Sequence, residues 1–158
     1  PNALLTMMTK DKLIDQLGAS DQAYLLENTP ELALHRGQLR LALAALSVQK
    51  GETLYLLNEA LVILENARLN FSEMPMPLYL ALSVTLAEAY IACHKTSGQH
   101  HYAVIAEQIL RPLAHHNDAK IYAMLATASQ LQGKQALARH WHNKALMADT
   151  QNISTHIH

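Results

Sequence analysis

Apolar residues recur along this chain at the three- and four-residue spacing of helices far more clearly than at the alternate spacing of a strand. Thr29-Pro30-Glu31 opens a helix: Thr29 can cap free amides, Pro30 suits the first turn, and Glu31 favours the positive end of the dipole. The pattern predicts this helix from 30 to about 49, with Gly51 closing it in a left-handed conformation. Leu32, Leu34, Leu39, Leu41, Leu43 and Leu46 cover more than one side of it, as in a buried helix. Gly37 inside it costs up to about 1 kcal/mol relative to Ala, unless a neighbour packs closely there.

Further helices are predicted at about 52–69, 77–94 and 100–111, the last ending near Pro112. Another is capped by Asn117 or Asp118, runs to about Gln132 and is broken by Gly133, and a final one covers about 134–148. Asn70–Met76 and Lys95–Gln99 read as connections. Residues 1–28 predict one or two shorter helices broken at Gly18, and the chain beyond Thr150 reads as a fraying tail.

Laid over these elements is a repeat. Leu-Ala occurs at Leu43-Ala44, Leu86-Ala87 and Leu125-Ala126, each followed by a glycine and then an alanine: Gly51 and Ala60, Gly98 and Ala103, Gly133 and Ala138. Self-similarity at a period of roughly 40 residues marks stacked units, each too small to bury its own apolar face. About one helical turn of extra residues follows Gly51 in the first unit and precedes Gly98, in the loop, in the second. Antiparallel helices 8–10 Å apart need small residues at closest approach, which sets Ala44, Ala87 and Ala126 against Ala60, Ala103 and Ala138. The expected organisation is one all-α domain over 1–150. Helix pairs occupy 30–70, 77–115 and 118–150, capping helices occupy 1–29, and 151–158 forms a flexible tail.

The segment Ala119–Asn152 resembles a tetratricopeptide repeat. Tyr122 stands at the first large position, followed by Leu125, small Ala126, turn Gly133, small Ala138 and the Ala145-Leu146 pair; Asp149 matches a frequent acidic position, while Thr150 replaces the usual proline. The two earlier units share only the Leu, Ala, Gly and Ala markers. The resemblance implies a right-handed superhelix of about seven or eight helices, with the first helix of each unit lining a concave groove. By register that lining is Gln38, Leu41, Ala45 and Val48; Ala81, Val84, Glu88 and Ile91; and Lys120, Ala123, Thr127 and Gln130. It is mostly small and apolar, unlike the Lys, Asn and Arg clamp with which some repeats of this family grip a terminal carboxylate. Leu4, Leu5, Met7, Met8, Leu13 and Ile14 allow the N-terminal segment to fold back as a partial cap on this groove, leaving its Glu88 and Lys120 end open.

Composition narrows the functions. Twelve Lys and Arg, scattered singly against thirteen Asp and Glu, provide no basic run for a row of phosphates, so no direct nucleic-acid contact is expected. No apolar run approaches the ~20 residues of a membrane span, and no signal-peptide pattern opens the chain. The single cysteine, Cys93, cannot form an internal disulfide, and cytoplasm and periplasm both remain open as compartments.

Ten histidines are the compositional oddity. His100-His101 and His115-His116 are adjacent and His140 and His142 two apart, so none makes the i,i+4 pair of a helical metal site. No metal or other cofactor is expected. Cys93 beside His94 reads as a core residue, because neighbours on a helix diverge. Trp141 reads as a packing residue of the C-terminal cap.

With no phosphate loop, nucleophile elbow or zinc spacing, catalysis is not expected. The anticipated role is a non-catalytic module binding a protein or peptide, as part of a larger protein or assembly. A second copy of the chain is a further candidate partner. Two alternatives rest on fold analogy: the sensor or effector domain of a bacterial transcription regulator, and the accessory repeat tail of a periplasmic protease.

Overall fold

The computed structural model describes residues 4–5 and 7–157, with side chains through Gln151. Among these residues there is no strand. The elements are α1 (Lys10–Leu26), α2 (Pro30–Leu46), α3 (Lys50–Asn70), α4 (Met76–Ser97), α5 (His101–Leu110), a 3-10 segment (Arg111–His116), α6 (Ala119–Leu131) and α7 (Gln135–Ile157).

Local chemistry sets most boundaries. Thr29 Oγ1 accepts from the Leu32 amide at 3.1 Å, with Pro30 as the first helical residue. Asp118 Oδ1 accepts from the amides of Lys120 and Ile121 at 2.8 and 3.2 Å. Gly98 and Gly133 end α4 and α6 with φ of 75° and 77°, a conformation in which a side chain would clash with its own backbone.

Four expectations are corrected. Gly51 does not end α2: the helix stops at Leu46, where Ser47 turns extended, and Gly51 lies in the first turn of α3. Gly18 does not break α1, because one residue of weak propensity is tolerated on an open surface, with nothing within 4 Å of where its Cβ would be. The extra turn before Gly98 lengthens α4, which runs to Ser97, rather than the loop. The tail after Thr150 is helix to Ile157: no breaker follows Gly133, and Asn117 Nδ2 donates to Gln151 Oε1 at 3.0 Å, tying α7 to the turn before α6.

Each helix packs on the next, and α4 also packs on α2 and α6. Cross-contacts run in opposite directions along neighbouring helices, so the pairs are antiparallel. Gly37 meets Leu64 while Arg40 meets Glu59; Glu65 meets Tyr90 while Arg68 meets Tyr79. Gly37 has the close neighbour that justifies it: a Cβ there would lie 2.7 Å from Leu64 Cγ. Of the expected small-residue contacts, Ala44, Ala60, Ala87 and Ala103 are buried, whereas Ala126 and Ala138 are half-buried. In the terminal pair no further unit covers them, and Ala128 and Ser129 take the inner positions of α6.

α4 is the core helix. Leu82, Leu86, Ala87, Ala89 and Cys93 are fully buried among α2, α3, α5 and α6. Its 22 residues include an 18-residue stretch with a mean hydropathy of 1.5, long and apolar enough to cross a bilayer, contrary to the sequence expectation. The scattered Ser83, Thr85 and Glu88 hide this in a search for unbroken apolar runs. Within the fold its apolar surface is met by neighbouring helices, as a helix apolar nearly all round requires.

α1 does not cap the expected groove. Leu5 and Leu13 bury against Leu39, Ala42 and Leu43 of α2, with Leu56 of α3 alongside, while Leu4, Met7 and Ile14 stay exposed. α1 thus extends the row of helices at its end.

Candidate functional site

α2, α4 and α6 are not consecutive, yet they lie side by side with α4 in the middle, and a face they share is the candidate site. At its centre Val84 and Ile91 are buried, and Ala81 and Glu88 are half-buried. On α2, Gln38 and Leu41 are half-buried and Ala45 is exposed, whereas Val48, expected on the same face, lies beyond the helix because α2 stops at Leu46, and it stands 96% exposed in the connection to α3. On α6, Lys120, Ala123 and Gln130 are exposed and Thr127 is half-buried, its hydroxyl donating to the Ala123 carbonyl at 3.2 Å. Lys120 Nζ reaches Glu88 Oε1 at 3.2 Å, so the only two charges of the expected lining neutralise each other across α4 and α6. Sequence register placed both residues but did not show that they pair.

A second feature lies between α3 and α5, which do not close against each other. The cleft there has a volume of about 370 Å³ and is lined by Glu65, Arg68, Leu69, Tyr79, Ile105 and Ile109. Its polar wall is organised: the Tyr90 hydroxyl donates to Glu65 Oε1, and Arg68 donates to the Tyr79 hydroxyl at 3.2 Å. Burial and then the Glu65 carboxylate push the Tyr90 phenol well above its usual range, so it stays protonated as that donor. Sequence reading missed this cleft, since Leu69, Ile105 and Ile109 look like ordinary helix-face residues and only packing separates α3 from α5.

Sequence reading also passed over a buried ion cluster. Arg40, 4% exposed, donates to Asp21 Oδ2 at 2.9 Å and lies 3.4 Å from Glu59 Oε1; Arg36 Nε donates to Asp21 Oδ1 at 2.8 Å. The cluster joins α1, α2 and α3. Burial raises the Asp21 pKa, but the hydrogen bonds from Arg40 and Arg36 and their charges outweigh it and hold the carboxyl below its ordinary value. A charged residue inside the leucine run 39–43 was the available signal.

Other singled-out residues are accounted for by packing. Burial pushes the Cys93 thiol up to about 11, away from thiolate reactivity. His94 is buried with Nδ1 3.1 Å from the Gln99 carbonyl, and His115 Nδ1 is 2.9 Å from the Pro112 carbonyl. Trp141 is buried and stacks on Tyr122 with ring centroids 5.8 Å apart. Among the described residues, no group of three or more His, Cys, Asp or Glu could hold a metal ion. No family model matches the chain, and no curated protein or solved structure is significantly similar to it.

Proposed function

We propose that this chain is a non-catalytic, tetratricopeptide-like module that holds a protein or peptide segment against the face shared by α2, α4 and α6. One observation carries the reading: three non-consecutive helices line up so that α4 presents a floor between two walls. Val84 and Ile91 are nearly covered at 7% exposed each, Leu41 and Ala81 are half-buried, and the two charges of the face, Glu88 on α4 and Lys120 on α6, are already paired. Such a surface suits an apolar segment better than a strongly charged one. The raised Cys93 and Tyr90 groups are shifted away from nucleophilic or acid–base duty at neutral pH, which accords with a binding role.

Selection of peptides from a displayed random library on the intact chain tests this. Ala45→Glu and Ala123→Arg alter exposed positions on the two walls and leave the core alone. Selected peptides should lose about tenfold or more in affinity for these variants, a change of ~1.4 kcal/mol. Peptides that bind the variants as well as the parent, or no enrichment at all, would reject this face as the site.

A further inference from the structure

Three large apolar residues on α3 face water at intervals of seven. Tyr55 is 65% exposed, Val62 60% and Leu69 80%. Seven residues are two helical turns, so the three form one narrow seam along the helix. Asn58 and Asn66 are exposed between them, so the stripe is apolar at one of the two heptad positions that a second helix covers and polar at the other. Its Leu69 end opens into the cleft between α3 and α5.

That cleft has a definite chemical preference. Leu69, Ile105 and Ile109 make an apolar slot, and Glu65 and Arg68 stand at its edge with an acceptor and a donor. An aromatic ring with a polar tip fits such a slot. About 370 Å³ is room for one, and the seam itself carries one at Tyr55.

We propose that two copies of this chain associate through α3, antiparallel about a two-fold axis at Val62, each placing its Tyr55 ring in the other's cleft. The register follows from the spacing. Tyr55 and Leu69 each stand seven residues from Val62, so the rotation that sets Val62 against itself brings Tyr55 opposite Leu69 of the second copy. One operation therefore covers the whole seam and delivers both tyrosines to both cleft mouths. Each phenol hydroxyl arrives between the Glu65 carboxylate and the Arg68 guanidinium. The same register opposes Glu59 to Glu65 of the second copy; Arg40 already neutralises Glu59, which limits that repulsion. A buried aromatic anchor in a partner's pocket is the usual centre of binding energy in an interface. This association uses α3 and not the face of α2, α4 and α6, so either reading can fail without the other.

Sedimentation equilibrium of the full chain, from about 1 µM to about 1 mM, tests the proposal. The mass should rise from 17.5 kDa toward twice that value. Tyr55→Ala and Val62→Glu should raise the dissociation constant at least about tenfold while keeping the parent's circular dichroism and melting temperature, because both positions are exposed. Val62→Cys should form a disulfide between copies on oxidation, with Cys93 buried and out of competition. The proposal is overturned if the chain stays monomeric throughout, as it would if the seam served a helix of another protein. It is equally overturned if a dimer forms that Tyr55→Ala leaves unchanged or that Val62→Cys does not cross-link.

Discussion

α4 is enclosed by α2, α3, α5 and α6, whereas α1 leans on α2 and meets α3 only at its margin. The two helices are also held by different forces. α4 buries leucines and alanines in the main core, and its polar Ser83 bonds back to its own turn at the Tyr79 carbonyl. α1 contributes Leu13, with Leu5 from the segment before it, to a small separate core and relies on Asp21 meeting Arg36 and Arg40. Apolar burial neither titrates nor is screened by ions, while an ion cluster both titrates and is screened. The difference divides the molecule into a robust centre and a conditional end.

The largest effect should come from the centre. Leu86→Ala, at a fully buried position, should cost about 2–5 kcal/mol, read as a lower midpoint in chemical denaturation. A loss below about 1 kcal/mol would mean that the centre tolerates cavities and the contrast with α1 is not one of packing.

Next should come Asp21→Asn. It leaves the buried Arg40 with Glu59 as its one carboxylate partner beside the Arg36 carbonyl, and because Asp21 is part-exposed the cost should be nearer 1–2 kcal/mol than the ~3–5 of a fully buried pair. Hydrogen exchange should quicken in α1 and leave α4 protected. Equal acceleration in both helices would dissolve the division.

Acid should reproduce that variant reversibly. The Asp21 pKa is lower folded than unfolded, so its contribution is complete above the unfolded value of about 3.9 and is lost as pH falls through the folded value. Amide exchange followed below about pH 4 should show α1 loosening before α4. Retention of α1 protection in acid to the same point as α4 would assign its docking to the leucines.

The smallest effect should be Ala126→Leu, below about 1 kcal/mol, since this half-buried position at the far end has room that Ala87 in α4 lacks. Denaturation of Ala87→Leu beside it should show a clearly larger loss. Equal losses would mean that α6 is packed as tightly as α4.

Features encoded within a few neighbouring residues were legible in the chain. Thr29-Pro30, Asp118, Gly98 and Gly133 announce helix ends because caps and left-handed turns are local chemistry. Gly51 misled because the same residue type ends one helix and sits harmlessly in the first turn of another, and only the extended Ser47 decides which. The face of α2, α4 and α6 was partly legible: helical period places residues on a side, but the pairing of Glu88 with Lys120 needs the packing of one unit on another. The Arg40 cluster and the α3–α5 cleft depend on residues far apart in sequence: the leucines around Arg40 signal that it is buried but not which carboxylates meet it, and no local pattern encodes the cleft.

The enclosure of α4 has a consequence for synthesis. A ribosome makes α2 and α3 first, and they cover one side of α4 as it emerges; the other side waits for α5 and α6. During that interval a segment apolar enough to enter a bilayer stands half-dressed in water. A chain stopped after Ser97 would keep that condition permanently, and would find its missing cover in aggregates or in lipid.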